Sequence, residues 1–200
     1  MIAIIDYDAG NLKSVEKALI SLGEEAIITR EKALLHKADK VILPGVGAFG
    51  DAMNKLNQYE LVDIIKELAK EKPFLGICLG LQLMFQESDE APGVKGLEIL
   101  PGKILRIPDT KDLKIPHIGW NDITISETSI LFKNIPQNSY VYFVHSYYLS
   151  AHNFKDVAAT TYYSTTIHAA VEHDNVFGCQ FHPEKSGIVG LQILRNFAQL

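Results

Sequence analysis

The sequence predicts an α/β protein: an open, mostly parallel sheet with helices on both faces and an antiparallel extension in the second half. Two observations predict it. Through the first half, short unbroken apolar runs alternate with helix-period segments, and strands that are apolar on both sides must be covered on both sides. In the second half the alternation gives way to β-rich runs separated by proline and glycine turns.

Residues 2–5 (IAII) form the first buried strand. Asn11 to Leu22 is helical, with Leu12, Val15, Leu19 and Leu22 on one stripe and Gly23 as a stop. Ala26 to Thr29 and Val41 to Leu43 are the second and third strands, the latter ending at Pro44. Ala48 to Leu56 and Leu61 to Lys70 are helices. Phe74 to Ile77 is the fourth strand, followed by a helix from Leu79 to about Gln86. Then come KILRI (103–107), ITI (123–125), YVYFV (140–144) and VAATTYY (157–163), all β-rich. An apolar run from Val176 to Phe181 leads into HPEKS and a closing helix, Gly187 to Ala198. No linker, repeat or low-complexity tract divides the chain, so residues 1–200 are expected to form one domain.

Apolar residues make up 47% of the chain and charged residues 22%, ordinary values for a soluble globular protein. The formal charge of −5 gives no basic footprint for nucleic acid or an anionic membrane. No apolar run approaches the roughly 20 residues of a membrane span. MIAIIDYDAGN reads as a strand, not a signal peptide. Two cysteines, Cys78 and Cys179, build no disulfide framework, which fits a cytoplasmic protein.

The sharpest local feature is GICLG, residues 76–80. A buried strand runs straight into a helix with Cys78 at the junction, and Gly76 and Gly80 leave room for a tight turn. This is a nucleophile elbow with cysteine in place of serine. The N-terminus of a helix favours a thiolate, and the N–H of Leu79 can help hold an oxyanion. The bland alternative for Cys78 is a small buried hydrophobe. Cys179, in VFGCQF, has only that reading.

His182, Pro183 and Glu184 follow the run from Val176. In extended chain His182 and Glu184 point the same way, so the carboxylate can hold the imidazole's tautomer and stabilise its charged form. Together with Cys78 they supply nucleophile, base and orienter, at the strand ends where open α/β sheets bind ligands. His36, His152 and His173 lie in polar segments and are expected in solvent. No second ligand pair accompanies Cys179 and His182, so neither a metal nor a cofactor is expected.

GVGAFG (45–50) matches the dinucleotide fingerprint G-x-G-x-x-G. That fingerprint belongs after the first strand of its unit, with an acid ending the next. Here it follows the third strand, the next strand ends at Cys78, and Asp63 and Glu67 fall inside a helical segment. The loop makes better sense as glycine-rich backbone whose N–H groups bind an oxyanion.

GICLGLQ, the late HPE and the upstream PGVG together resemble the class I, triad-type glutamine amidotransferases. IDYDAGNLKSV, LPGVGAFGDAM, IPHIGWN, YFVHSYY and FHPEKSG, which run through essentially the whole chain, resemble within that class the glutaminase subunits of imidazole glycerol phosphate synthase. The resemblance implies a flavodoxin-like sheet and hydrolysis of glutamine through a glutamyl thioester on Cys78, with His182 as base and Glu184 as orienter. It implies that Gln82 and Glu90 bind the amino-acid head of glutamine, with Ser146 and Tyr147 adding contacts. It implies an oxyanion donor at Gly47, near Val46. It implies a heterodimer with a (β/α)8 cyclase subunit that receives the ammonia for histidine biosynthesis, with Asn11, Trp120, Tyr142 and Lys185 at that interface. Three glycines beside the oxyanion site suggest that activity is weak until the partner, with its ligand, turns the PGVG loop.

Competing readings stay open at this point: the glutaminase subunit of another amidotransferase, a cysteine hydrolase of the α/β-hydrolase type, a dinucleotide-binding domain, or a scaffold with an inert Cys78. The hydrolase order places the acid between nucleophile and histidine, whereas here Glu184 follows His182.

Overall fold

A computed structural model describes residues 1–8 and 10–200; Ala9, inside the IDYDAGN stretch, lies outside the described residues. The elements of the first half are β1 (Ile2–Ile5), α1 (Leu12–Ser21), β2 (Ala26–Thr29), α2 (Lys32–Lys37), β3 (Lys40–Gly45), α3 (Phe49–Gln58), α4 (Val62–Glu71), β4 (Phe74–Cys78) and α5 (Leu79–Leu83). The second half adds β5 (Glu87–Ser88), β6 (Gly102–Arg106), β7 (His117–Ile125), β8 (Ser139–His145) and β9 (Tyr147–Ala151). It closes with β10 (Val157–Tyr163), β11 (Thr165–His173), β12 (Val176–Cys179) and α6 (Gly187–Ala198), plus 3-10 turns at Phe154–Asp156 and Pro183–Lys185.

The large sheet has the order β2-β1-β3-β4-β12-β11-β10-β7-β8. The strands from β2 to β12 run parallel, and those beyond β12 join antiparallel. The order β2-β1-β3-β4 and then a fifth parallel strand is flavodoxin-like winding. β5, β6 and β9 form a small second sheet.

Burial explains why the apolar runs became parallel strands. All four residues of β1 are buried, and their side chains alternate between two core layers. Ala3 and Ile5 join Leu35, Phe49, Leu56 and Leu68, under α2, α3 and α4. Ile2 and Ile4 join Val15 and Leu19 of α1 and Ile193, Leu194 and Phe197 of α6. Among the described residues no helix is long and apolar enough to cross a membrane.

Some boundaries moved. β3 continues through Pro44 to Gly45, because its pairing with β1 stops at Ile42 and leaves that side of the strand free of ladder bonds. α5 ends at Leu83 instead of near Gln86. The carbonyls of Leu83 and Met84 accept from the backbone N–H groups of Leu97 (2.7 Å) and Ile99 (2.8 Å), so a returning loop takes the bonds of a further helical turn. β7 begins at His117, well before the expected ITI (123–125), so HIGWN lies inside the strand.

Candidate active site

Three adjacent strands end level at the C-terminal edge of the sheet. Gly45 of β3 pairs with Cys78 of β4, and the register Cys179–Ile77 between β12 and β4 places Gln180 beside Cys78 one step further on. Cys78 has φ 53° and ψ −110°, a strained conformation for a residue with a side chain. The neighbouring glycines make this turn possible by letting α5 press onto the sheet. A methyl group on Gly80 would lie 1.7 Å from the Leu43 carbonyl oxygen, and one on Gly76 would lie 2.8 Å from the Leu81 nitrogen.

His182 sits just beyond β12, with its N–H donating to the Tyr142 carbonyl at 3.0 Å. Its Nδ1 donates to Glu184 Oε1 at 2.8 Å, and both side chains are essentially inaccessible to solvent. Extended chain does not bring them together as expected: Glu184 lies in the 3-10 turn Pro183–Lys185, which folds the carboxylate back under the ring. The Ser186 hydroxyl ties the turn down by donating to the His182 carbonyl at 2.6 Å. Burial opposes a charge on His182, but its interactions with Cys78 and Glu184 outweigh that and raise its pKa to about 9. Among the described residues Nε2 has no hydrogen-bond partner, and it is left for the thiol and for a reacting group.

Glu184 Oε1 also accepts from the side-chain amide of Asn11. Asn11 occupies the N-cap position of α1 in the left-handed region (φ 73°) but gives its own helix no side-chain cap. Its amide is spent on the carboxylate that holds His182. Sequence reasoning placed Asn11 at the partner interface and did not find this contact.

A cleft of about 460 Å³ opens over the sulfur. Val46, Gly47, Cys78, Leu79 and His182 line it together with Gln82, Glu90, Ser146, Tyr147 and Lys185. Glu184 stands behind His182 and does not line the cleft. Gly47 has φ +100° with open space where a Cβ would be. The segment around it is pinned at both ends. The Tyr7 hydroxyl donates to the Pro44 carbonyl at 2.9 Å, and the Phe49 N–H donates to Glu90 Oε2 at 2.8 Å. One carboxylate oxygen of Glu90 therefore caps α3. Gln82 donates its Nε2 to the Tyr147 carbonyl and to Gln180 Oε1, both at 3.0 Å.

Sequence reasoning passed over two buried histidines here: His145, which lines the cleft, and His117 behind it. His145 Nδ1 donates to the Tyr147 carbonyl at 2.9 Å, so its Nε2 accepts from His117 Nδ1 at 3.0 Å. Burial is the main cause of the lowered pKa at both, to about 3 for His145 and about 4 for His117. This neutral pair braces the Ser146–Tyr147 backbone. His36, His152 and His173 are exposed, as expected, and Cys179 is fully buried.

The outward faces of β7 and β8 carry Ile118, Trp120, Tyr140 and Val144, all exposed, with Trp120 at 55% and paired in register with Tyr142. Trp120 is therefore not a core residue. The apolar face reaches the cleft through Val144 and Pro116. A contiguous exposed apolar face of this kind marks an interaction surface.

A strained cysteine at a strand end, set against a buried histidine–carboxylate pair, defines a thiol-dependent hydrolytic site of the triad type. The sequence model of the family described as "Glutamine amidotransferase class-I" matches residues 3–199, and the chain belongs to that family. The chain is 48% identical, over 100% of both sequences, to the imidazole glycerol phosphate synthase subunit HisH of Chlorobaculum tepidum. It is also 48% identical to the protein of that name from Methanothermobacter thermautotrophicus, covering 100% of this chain and 98% of the relative. Solved structures agree on the fold: a glutamine amidotransferase superposes with TM-score 0.77 at 18% identity, covering 100% of this chain and 98% of that one. PurLQS from Thermotoga maritima gives 0.74 at 20% identity, covering 99% and 97%. Family membership removes the α/β-hydrolase, dinucleotide-binding and scaffold readings.

Proposed function

We infer that this chain is the glutamine-hydrolysing subunit of an imidazole glycerol phosphate synthase and serves histidine biosynthesis. The full-length relatives carry that name. The observation that carries the chemistry is the strained Cys78 backbone opposite the buried His182–Glu184 pair.

Cys78 Sγ attacks the side-chain carbonyl carbon of glutamine. The carbonyl π pair moves onto oxygen, which the N–H of Leu79 and a backbone N–H of the Val46–Gly47 segment stabilise. His182, held as imidazolium by Glu184, gives its proton to the departing nitrogen. Ammonia leaves and a glutamyl thioester remains. His182 then takes a proton from water, the hydroxyl attacks the thioester, and glutamate leaves with Cys78 restored. Asn11 and Glu184 keep the ring aimed. Gln82, with its NH2 committed, offers glutamine its Oε1, an acceptor suited to the substrate ammonium. Glu90, Ser146 and Tyr147 complete the head-group site.

The ammonia goes to a (β/α)8 cyclase partner docked on the β7–β8 face. Two features support this reading: exposed Trp120 is paired in register with Tyr142 on that face, and the face reaches the cleft, which Lys185 also lines, through Val144 and Pro116; Asn11 is assigned to the interface by the family resemblance. Docking, with the partner's ligand, turns the Val46–Gly47 segment between its anchors at Tyr7 and Glu90. The test is glutamate release from glutamine by the purified chain with cyclase subunit and that subunit's ligand, beside Cys78→Ala. Release by the parent and none by the variant is expected; release by Cys78→Ala would remove the nucleophile assignment. Full-rate hydrolysis by the isolated chain would remove the loop mechanism.

A further inference from the structure

Gln180 is fully buried, and its neighbours Cys179 and Phe181 belong to the apolar core. An amide in such surroundings costs free energy unless both its ends are matched. Here both are. Oε1 accepts from Gln82 Nε2 at 3.0 Å, and Nε2 donates to Cys78 Sγ at 3.7 Å.

The direction of these bonds is fixed by one group. The Tyr147 carbonyl can only accept, so the Gln82 atom 3.0 Å from it is the NH2. That NH2 also meets Gln180, so the Gln180 atom facing it is the oxygen. The remaining end of the Gln180 amide, its NH2, therefore faces the sulfur. Strand register supports the same placement, since Gln180 stands level with Cys78 across β12 and β4.

We propose that Gln180 is a catalytic residue whose side-chain N–H stabilises negative charge on Cys78 Sγ. This rests on the glutamine-hydrolase reading and adds to the triad a donor aimed at sulfur. The donor acts at both ends of the cycle. Before attack it faces the sulfur that is to act as nucleophile. In the second half the C–S bond of the tetrahedral intermediate breaks and its electron pair returns to sulfur, and the same N–H receives the charge. The oxyanion donors serve the substrate oxygen, while Gln180 serves the leaving sulfur.

The test measures the thiol directly. Iodoacetamide alkylates a thiolate by forming an S–C bond and expelling iodide. Its rate at Cys78, mapped by mass spectrometry, is compared over roughly pH 6 to 9 in the parent, Gln180→Met and Gln180→Glu. Gln180→Met keeps the length and removes the donor. Gln180→Glu keeps the shape and the acceptor for Gln82 and sets a negative charge against the sulfur. The Met variant is expected to alkylate about tenfold more slowly than the parent, and the Glu variant more slowly still. If either variant unfolds, the other, checked by its thermal melt, decides. Parental alkylation rates at every pH in a folded variant would overturn the proposal. Alkylation needs no glutamine, so a parent that alkylates yet never releases glutamate would sink the hydrolase reading separately.

Discussion

Gly80→Ala asks whether the cysteine's turn is held by the close contact of α5 with the sheet. A methyl group at Gly80 would lie 1.7 Å from the Leu43 carbonyl oxygen and 2.7 Å from its carbon, both main chain. Comfortable contact is about 3.5 Å, so α5 must retreat from β3 by roughly 1.5–2 Å. Neither side gives way easily, because β3 is an interior strand and Leu81 and Leu83 are fully buried. Overpacking of this kind costs about 1–3 kcal/mol, and alanine's helix propensity offsets up to about 1 kcal/mol. A net loss of about 1–2 kcal/mol lowers the melting temperature of a chain this size by roughly 2–8 °C. Activity suffers more, since Cys78 and the Leu79 N–H move with α5, and a misplacement of about 1 Å costs roughly 100-fold. The assay is a thermal melt paired with glutamate release in the complex. Gly50→Ala is the control: its methyl group meets Ala91 at an ordinary 3.4 Å and should leave both readouts near the parent. If Gly80→Ala melts and turns over like Gly50→Ala, the packing argument is refuted.

His182 has a folded pKa of about 9 against an ordinary 6.5, so its imidazolium stabilises the fold fully below pH 6.5 and that stability drains away as pH rises through 9. Glu184→Gln should flatten this decline in the urea midpoint between those two pH values; an unchanged slope would mean that Glu184 does not hold the charge. Gly47→Ala meets no steric obstacle but must adopt φ +100°, so a loss of about 1–2 kcal/mol in urea unfolding is expected, and no loss would show that the segment relaxes freely. Trp120→Ala, at a side chain 55% exposed, should leave the melt of the isolated chain within about 2 °C while weakening cyclase binding at least tenfold by calorimetry. Parental affinity would move the interface elsewhere.

The parallel half was legible because burial on both faces forces unbroken apolar runs, and IAII or FLGIC can hardly be anything else. The short second-half elements were not. YVYFVHSYYLSA looks like one strand, yet at Ser146 the chain leaves the large sheet as β8 and enters the small one as β9, and no local signal marks the change. β11 has a bulged register with β10 that breaks its period of two, and α2 is too short to show a helical period. At the site, the strand–helix junction at Cys78 and the pairing of His182 with Glu184 were readable because each is set by residues close together in the chain. The glycines proved to serve the seating of α5 more than the turn, whose positive φ falls on Cys78 itself. Asn11 on Glu184, Gln180 on Cys78 and the His117–His145 pair were invisible, since each joins segments that only the folded sheet brings together.

The position of β12 governs when this protein can become active. It is the last strand made, yet it sits in the middle of the sheet, between β4 and β11, and it delivers His182 and Glu184. During synthesis Cys78 precedes His182 by 104 residues (182 − 78), roughly 5–20 s of translation. For that interval the nascent chain holds a thiol with no base, an open gap beside β4, and an Asn11 amide with no acid to grip. On the proposed triad, ammonia production waits for β12, and the insertion that completes the sheet also brings His182 to the thiol.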